Sequence, residues 1–199
     1  MDIILATRNP SKLDQIQALF SNSPFNILSM SEAGVEGEGI EDGSTLGANA
    51  LKKALFVHQT KKTWVMADDT GFFINALLGE PGIKAARWAG EDATTEEITA
   101  HTLKQLEGHA DRSAIFETVV ALVDPEGGQY FFNGTVTGRL LEAPRTKPQP
   151  KMPYSPIFVP DGAERVWAEM TVEEENAISH RGKAFRATRE FLEKLHRSE

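Results

Sequence analysis

The chain has 199 residues, with 21 basic against 29 acidic side chains, a formal net charge of −8 and no cysteine. These values exclude a disulfide framework or a thiolate metal centre, and they disfavour a broad basic face for nucleic acid or for an anionic membrane. Hydrophobic residues make up 40% and charged residues 25%, ordinary globular values in a chain long enough to bury a sizeable core. No apolar run reaches membrane-spanning length, and Met1-Asp2 followed by Ile-Ile-Leu-Ala is too short and too acidic for a signal peptide. The expectation is one domain over residues 1–199, cytoplasmic, with neither nucleic acid nor membrane as partner.

Ile3-Ile4-Leu5-Ala6 reads as a buried first strand. Asn9 is a good N-cap and Pro10 suits the first helical position, so a helix carrying Leu13, Ile16, Leu19 and Phe20 is expected next. A strand feeding a capped helix presents free N–H groups to anions. Lys12, in the first turn, opposes the usual preference for acids there. An anion bound between them would explain it; a solvated lysine is the equal alternative. Residues 25–30 look like a second strand. Residues 31–44 form an acidic, glycine-rich loop with Glu32, Glu36, Glu38, Glu41 and Asp42, of interest only if a carboxylate such as Glu41 folds back onto the next strand. A helix capped by Ser44 or Thr45 follows, with Asn49 and Lys53 one turn apart on a shared face.

Thr63-Trp64-Val65 reads as a buried strand running into Met66-Ala67-Asp68-Asp69-Thr70-Gly71. Successive strand side chains point to opposite faces, so Asp68 and Asp69 serve one site only if the backbone turns between them. Thr70-Gly71 offers turn chemistry for that purpose. The pair suits a divalent metal or an activated water, whereas in isolation it suits an Asx-turn. Capping boxes at Thr94–Glu97 and Thr171–Glu174 each announce a helix. Residues 113–123 and 130–141 predict a β-hairpin. Five of the ten prolines lie between 144 and 156, consistent with a linker or with a stiff loop in which Tyr154 offers a stacking face. Ser179-His180-Arg181-Gly182-Lys183 reads as an interruption before a last helix with Phe185, Leu192 and Leu195.

Three segments in this order, ILATRNPSK near residues 3–12, ADDTGFFINAL with PGIKAARWAG over 67–90, and AEMTVEEENAISHRGKA at 168–184, resemble the inosine triphosphate pyrophosphatase family. The resemblance covers nearly the whole chain. It implies an elongated α/β fold with a central mixed sheet, two lobes with a nucleotide cleft between them, and a homodimer. It implies Mg2+-dependent hydrolysis of deaminated purine nucleoside triphosphates to monophosphate and pyrophosphate. By the family pattern Asn9, Lys12 and Lys53 hold phosphates, with Thr7 and Thr70 beside them in the substrate-binding set. Glu41 and Asp69 hold the metal, joined by Asp68 as a further candidate. Asp69, Lys12 and Lys53 make up the catalytic set. His180 and Arg181 read the base, with Lys183 nearby and Tyr154 as the stacking candidate.

Met152-Pro153-Tyr154-Ser155-Pro156 departs from the family's aromatic-Gly-aromatic-Asp-Pro, replacing an aromatic by Met, a glycine by proline and the aspartate by serine. Proline removes an N–H and fixes φ, so the loop cannot follow the usual path unchanged. Ala48 likewise stands where the family commonly has glutamate. The alternatives are therefore a nucleotide sensor of the same fold, or a pyrophosphatase with altered base specificity. A single-strand nucleic-acid binder is disfavoured by the charge.

Overall fold

A computed structural model describes residues 1–197. In chain order the elements are β1 (Asp2–Leu5), α1 (Pro10–Phe20), β2 (Asn26–Ser29), α2 (Leu46–Lys61), β3 (Trp64–Ile74), β4 (Pro81–Gly82), α3 (Thr95–Gln105), β5 (Ser113–Val123), β6 (Gln129–Leu140), β7 (Phe158–Pro160), α4 (Val172–Ile178) and α5 (His180–His196). The strands form one sheet in the order β2-β1-β3-β5-β6-β7, with β4 paired to β3. β1 is parallel to β2 and to β3, whereas β4 and β7 run antiparallel to their neighbours. This is the mixed α/β sheet flanked by helices that the resemblance implies.

The chain divides into two compact units, one of residues 1–69, 118–134 and 179 onward, the other of residues 70–117 and 135–178. In the first unit, period-two alternation sorts the sheet residues between two cores. Ile3, Leu5 and Met66 pack with Ile16 and Phe20 of α1 and with Phe185 and Leu192 of α5. Ile4, Ala6, Val65 and Ala67 point the other way, onto Ala54 and Val57 of α2. The second unit has its own core of Phe72, Ile74, Phe116, Tyr154, Phe158 and Trp167, an aromatic cluster around the β3 and β7 segments.

Local chemistry explains the helix starts. Asn9 Oδ1 accepts from the Ser11 N–H at 3.1 Å, with Pro10 at the first position, and Thr45 is the cap of α2. The Thr94–Glu97 box is complete, and Thr171 and Glu174 exchange the same pair of bonds ahead of α4.

Three expectations are corrected. The backbone does not turn at Thr70-Gly71: β3 runs through both, because Phe72 and Phe73 continue the strand by pairing with Gly82 and Pro81 of β4. The interruption expected over Ser179–Lys183 narrows to Ser179, which separates α4 from α5. Ser179 is the N-cap of α5, its hydroxyl accepting from the Gly182 N–H at 3.0 Å, so His180 and Arg181 occupy the first turn. The proline-rich segment is not a linker, since Pro153 through Pro156 are buried in the second unit.

Candidate active site

The unbroken path of β3 decides the geometry. Asp69 continues the face of Val65 and Ala67 toward α2, while Asp68 continues the face of Met66 toward α1 and α5. Each aspartate consequently meets its own cation. Lys12 Nζ donates to both oxygens of Asp68, at 2.8 and 3.1 Å, and Arg181 Nε lies 3.5 Å from the same carboxylate. Arg181 is held further by Nη1, which donates to Gln15 Oε1 at 2.9 Å. On the opposite face, Lys53 Nζ donates to Asp69 Oδ1 at 3.2 Å and Asn49 Nδ2 donates to Asp69 Oδ2 at 3.0 Å.

The acidic loop does fold back. Arg8 Nη2 donates to the Gly37 carbonyl at 2.9 Å, and its Nε pairs with Glu38 at 3.2 Å. Asp42 pairs with Lys52, and the Gly43 N–H donates to Asn49 Oδ1 at 2.8 Å. Between these fastenings Glu41 comes to 3.1 Å from Lys53 Nζ. Two carboxylates, Glu41 and Asp69, thus converge on one ammonium. Thr7, Arg8, Lys12, Glu41, Lys53 and Asp68 line a polar cleft of about 120 Å³.

The charges are set by burial and by pairing. Burial alone would raise the Asp68 carboxyl, but Lys12, Arg181 and Lys53 outweigh it and hold it well below the carboxylate range. Burial lowers Lys12, and the neighbouring Arg181 and Lys53 cations add to that, against the pull of Asp68. Burial also lowers Lys53, but Asp69, Asp68 and Glu41 together raise it beyond its ordinary value. Asp69 is raised by burial, opposed by Lys53 and Asn49 and reinforced by Glu41. His180, 4% exposed, is pushed well below the usual imidazole value by burial and by the Arg181 charge, so it is neutral.

The sequence-predicted residues fall into three groups. Lys12, Glu41, Lys53, Asp68 and Asp69 come together with Asn9 and Thr7 near them, the Thr7 hydroxyl accepting from the Asn9 N–H at 3.2 Å. His180 and Arg181 are buried in the first turn of α5, with Lys183 exposed on the same turn and Thr70 half-buried just after Asp69. Asp68 does not join the Glu41–Asp69 pair, because the strand turns it to the other face, where Lys12 takes both of its oxygens. Tyr154 is no stacking face. It is 3% exposed, its ring packs 4.2 Å from Phe72, and its hydroxyl donates to the Ala85 carbonyl at 2.8 Å.

Sequence reading passed over Gln15 and Arg8. Gln15 lies three residues beyond Lys12, hence on the same helical face, which is the one signal that could have found it.

The fold and site define an α/β protein in which two lysine–carboxylate pairs are set back to back on one strand. The chain belongs to the Ham1 family, whose model matches residues 3–191. It is 40% identical over 194 residues to a dITP/XTP pyrophosphatase of Thermoanaerobacter pseudethanolicus, spanning 96% of each chain. Among solved structures it is similar to a HAM1 protein from Coxiella burnetii, with TM-score 0.88 and 34% identity over 98% of this chain and 99% of that one. It is similar also to the Staphylococcus aureus Ham1 protein, with TM-score 0.86 and 30% identity over 98% and 100% of the two chains. The resemblance drawn from the sequence motifs is thereby borne out.

Proposed function

We propose that this chain hydrolyses deaminated, 6-oxo purine nucleoside triphosphates such as ITP, dITP and XTP to the monophosphate and pyrophosphate. The observation that carries the reading is the convergence of Glu41 and Asp69 on Lys53 beside the cleft that Lys12 lines. A triphosphate needs fixed cations along its length, and Lys12 and Lys53 supply them, beside the positive end of the α1 dipole. Asp69, its oxygens held by Lys53 and Asn49, is the group to accept the proton of the attacking water. No covalent nucleophile is required, since positioning and charge neutralisation suffice for phosphoryl chemistry.

The donor set fits Mg2+. Two carboxylates already share one cation, and hard oxygen ligands suit this ion. Among the described residues no group of three or more His, Asp or Glu side chains could hold a metal. Glu41 and Asp69 would therefore hold it together with substrate oxygens, the usual manner for Mg2+. When bound, the ion would neutralise developing phosphate charge. Arg181 carries only donors, and a purine 6-oxo group accepts where adenine presents an amino donor, so the first turn of α5 favours 6-oxo bases.

One observation favours altered discrimination among such bases. Ser155, standing where the family carries aspartate, donates its hydroxyl to the Met152 carbonyl at 2.7 Å and accepts from the Gln149 N–H at 2.9 Å. Both functions of the side chain are spent within its own loop. We propose a homodimer and a cytoplasmic location on the resemblance alone; among the described residues no helix is long and apolar enough to cross a membrane. Pyrophosphate release from ITP, dITP, XTP, GTP, ATP and CTP, compared as kcat/KM, tests the assignment. Preference for 6-oxo purines over ATP is expected, and preference for ATP or for a pyrimidine would overturn it.

A further inference from the structure

We propose that Asn49 is a positioning residue of the site, fixing Asp69 with one end of its amide and the Glu41-bearing segment with the other. The proposal rests on the reading of Glu41 and Asp69 as the cation-holding pair. Asn49 is 1% exposed and lies four residues before Lys53 in α2, so both side chains leave the same face. They divide Asp69 between them: Lys53 takes Oδ1 and Asn49 takes Oδ2. A carboxylate held at both oxygens has one side-chain orientation open to it, which a site needing sub-ångström placement requires.

The other end of the amide accepts from the Gly43 N–H, two residues beyond Glu41. The approach is close enough to demand glycine at 43: a β-carbon there would lie 2.7 Å from Asn49 Oδ1 and 3.1 Å from the Asn49 backbone nitrogen. Asn49 therefore ties the two carboxylates to each other, although they come from distant stretches of chain. Few other side chains could replace it. A hydrocarbon would leave the buried carboxylate oxygen and the Gly43 N–H with no partner, and an aspartate would set a third anion against Asp69. Arg8 fastens the far end of the same segment, from a half-exposed position and without touching Asp69. The two fastenings can thus be told apart.

The test is the affinity of the full-length protein for Mn2+ in the presence of a non-hydrolysable dITP analogue, read from the water-proton relaxation enhancement of the protein-bound ion. It is made on wild type, E41Q, N49A, N49S and R8A, with thermal melting to establish that each variant is folded. Outer contacts to metal-holding groups typically contribute ~10-fold or more in affinity. N49A and N49S are expected to lose at least that, and R8A less. In turnover, N49A is expected to lower kcat more than it raises KM. Wild-type Mn2+ affinity in E41Q would overturn the reading of the carboxylate pair, and the proposal with it. Loss in E41Q with wild-type affinity in folded N49A or N49S would overturn the proposal alone. A loss in R8A as large as in N49A would show that loosening the segment accounts for the effect, and would also overturn it.

Discussion

Asp68 and Asp69 are adjacent in the chain and face opposite sides of one strand, Asp68 toward Lys12 and Asp69 toward Lys53. Pleating alone produces this division. It assigns the two carboxylates different work. Asp68 is an internal counter-ion for Lys12 and Arg181, and Asp69 shares its cation with Glu41.

Asp68→Asn should therefore destabilise the fold. It leaves the Lys12 ammonium and the Arg181 guanidinium beside a neutral amide, and breaking a buried pair in this way costs about 3 kcal/mol or more. Urea denaturation measures it. Asp69→Asn sets an amide donor against Lys53 or Asn49, but Lys53 keeps Glu41 and burial already disfavours the Asp69 charge, so its midpoint should fall less than that of Asp68→Asn.

Lys12→Ala should weaken triphosphate binding and also lower stability. The Lys12 side chain is only 22% exposed and bonds both oxygens of a carboxylate that is 3% exposed. Its removal leaves Asp68 to Arg181 alone. A fluorescent triphosphate titration read beside a melting curve should show losses in both, in contrast to an ordinary surface lysine, whose removal stays within ~0.5 kcal/mol.

Acid should destabilise the protein through His180. Its folded-state value is depressed, so below about pH 6.5 the unfolded chain takes up a proton that the folded chain refuses. The stability is fully present above that pH and is lost as pH falls toward the folded value. His180→Gln removes the titration, so its melting temperature should fall less than wild type between pH 7.5 and 5. Parallel curves for the two proteins would contradict this.

Gly134→Ala should displace the first turn of α5. A β-carbon there would sit 2.1 Å from the His180 carbonyl oxygen and 2.7 Å from the Ala184 nitrogen, both backbone atoms. Overpacking of this kind costs ~1–3 kcal/mol. Because Arg181 rides on the same turn, nucleotide affinity should fall together with the melting temperature.

What the sequence could reveal follows the range over which its signals act. Asn9, Thr45 and Thr94 cap helices through bonds spanning two or three residues, and all are legible in the local pattern. The opposition of Asp68 and Asp69 was legible too, as a consequence of strand parity. The expected turn at Thr70-Gly71 failed because pairing with β4 overrides local turn chemistry. Tyr154 misled for a similar reason: the rings that enclose it, Phe72 and Phe116, come from far away in the chain. Gln15 meets Arg181 across 166 residues, a contact to which no local pattern points.

In the proposed reaction Asp69 works with a divalent cation and the flanking lysines to release pyrophosphate from a 6-oxo purine triphosphate. Its most direct measurement is product release from dITP with Mg2+ by wild type and by Asp69→Asn, with nucleotide affinity determined in parallel. The expected result is one pyrophosphate per nucleotide from wild type, and a rate lower by ~100-fold or more in the variant at near-unchanged affinity. Turnover by the variant close to wild type, or orthophosphate as the first product, would contradict it.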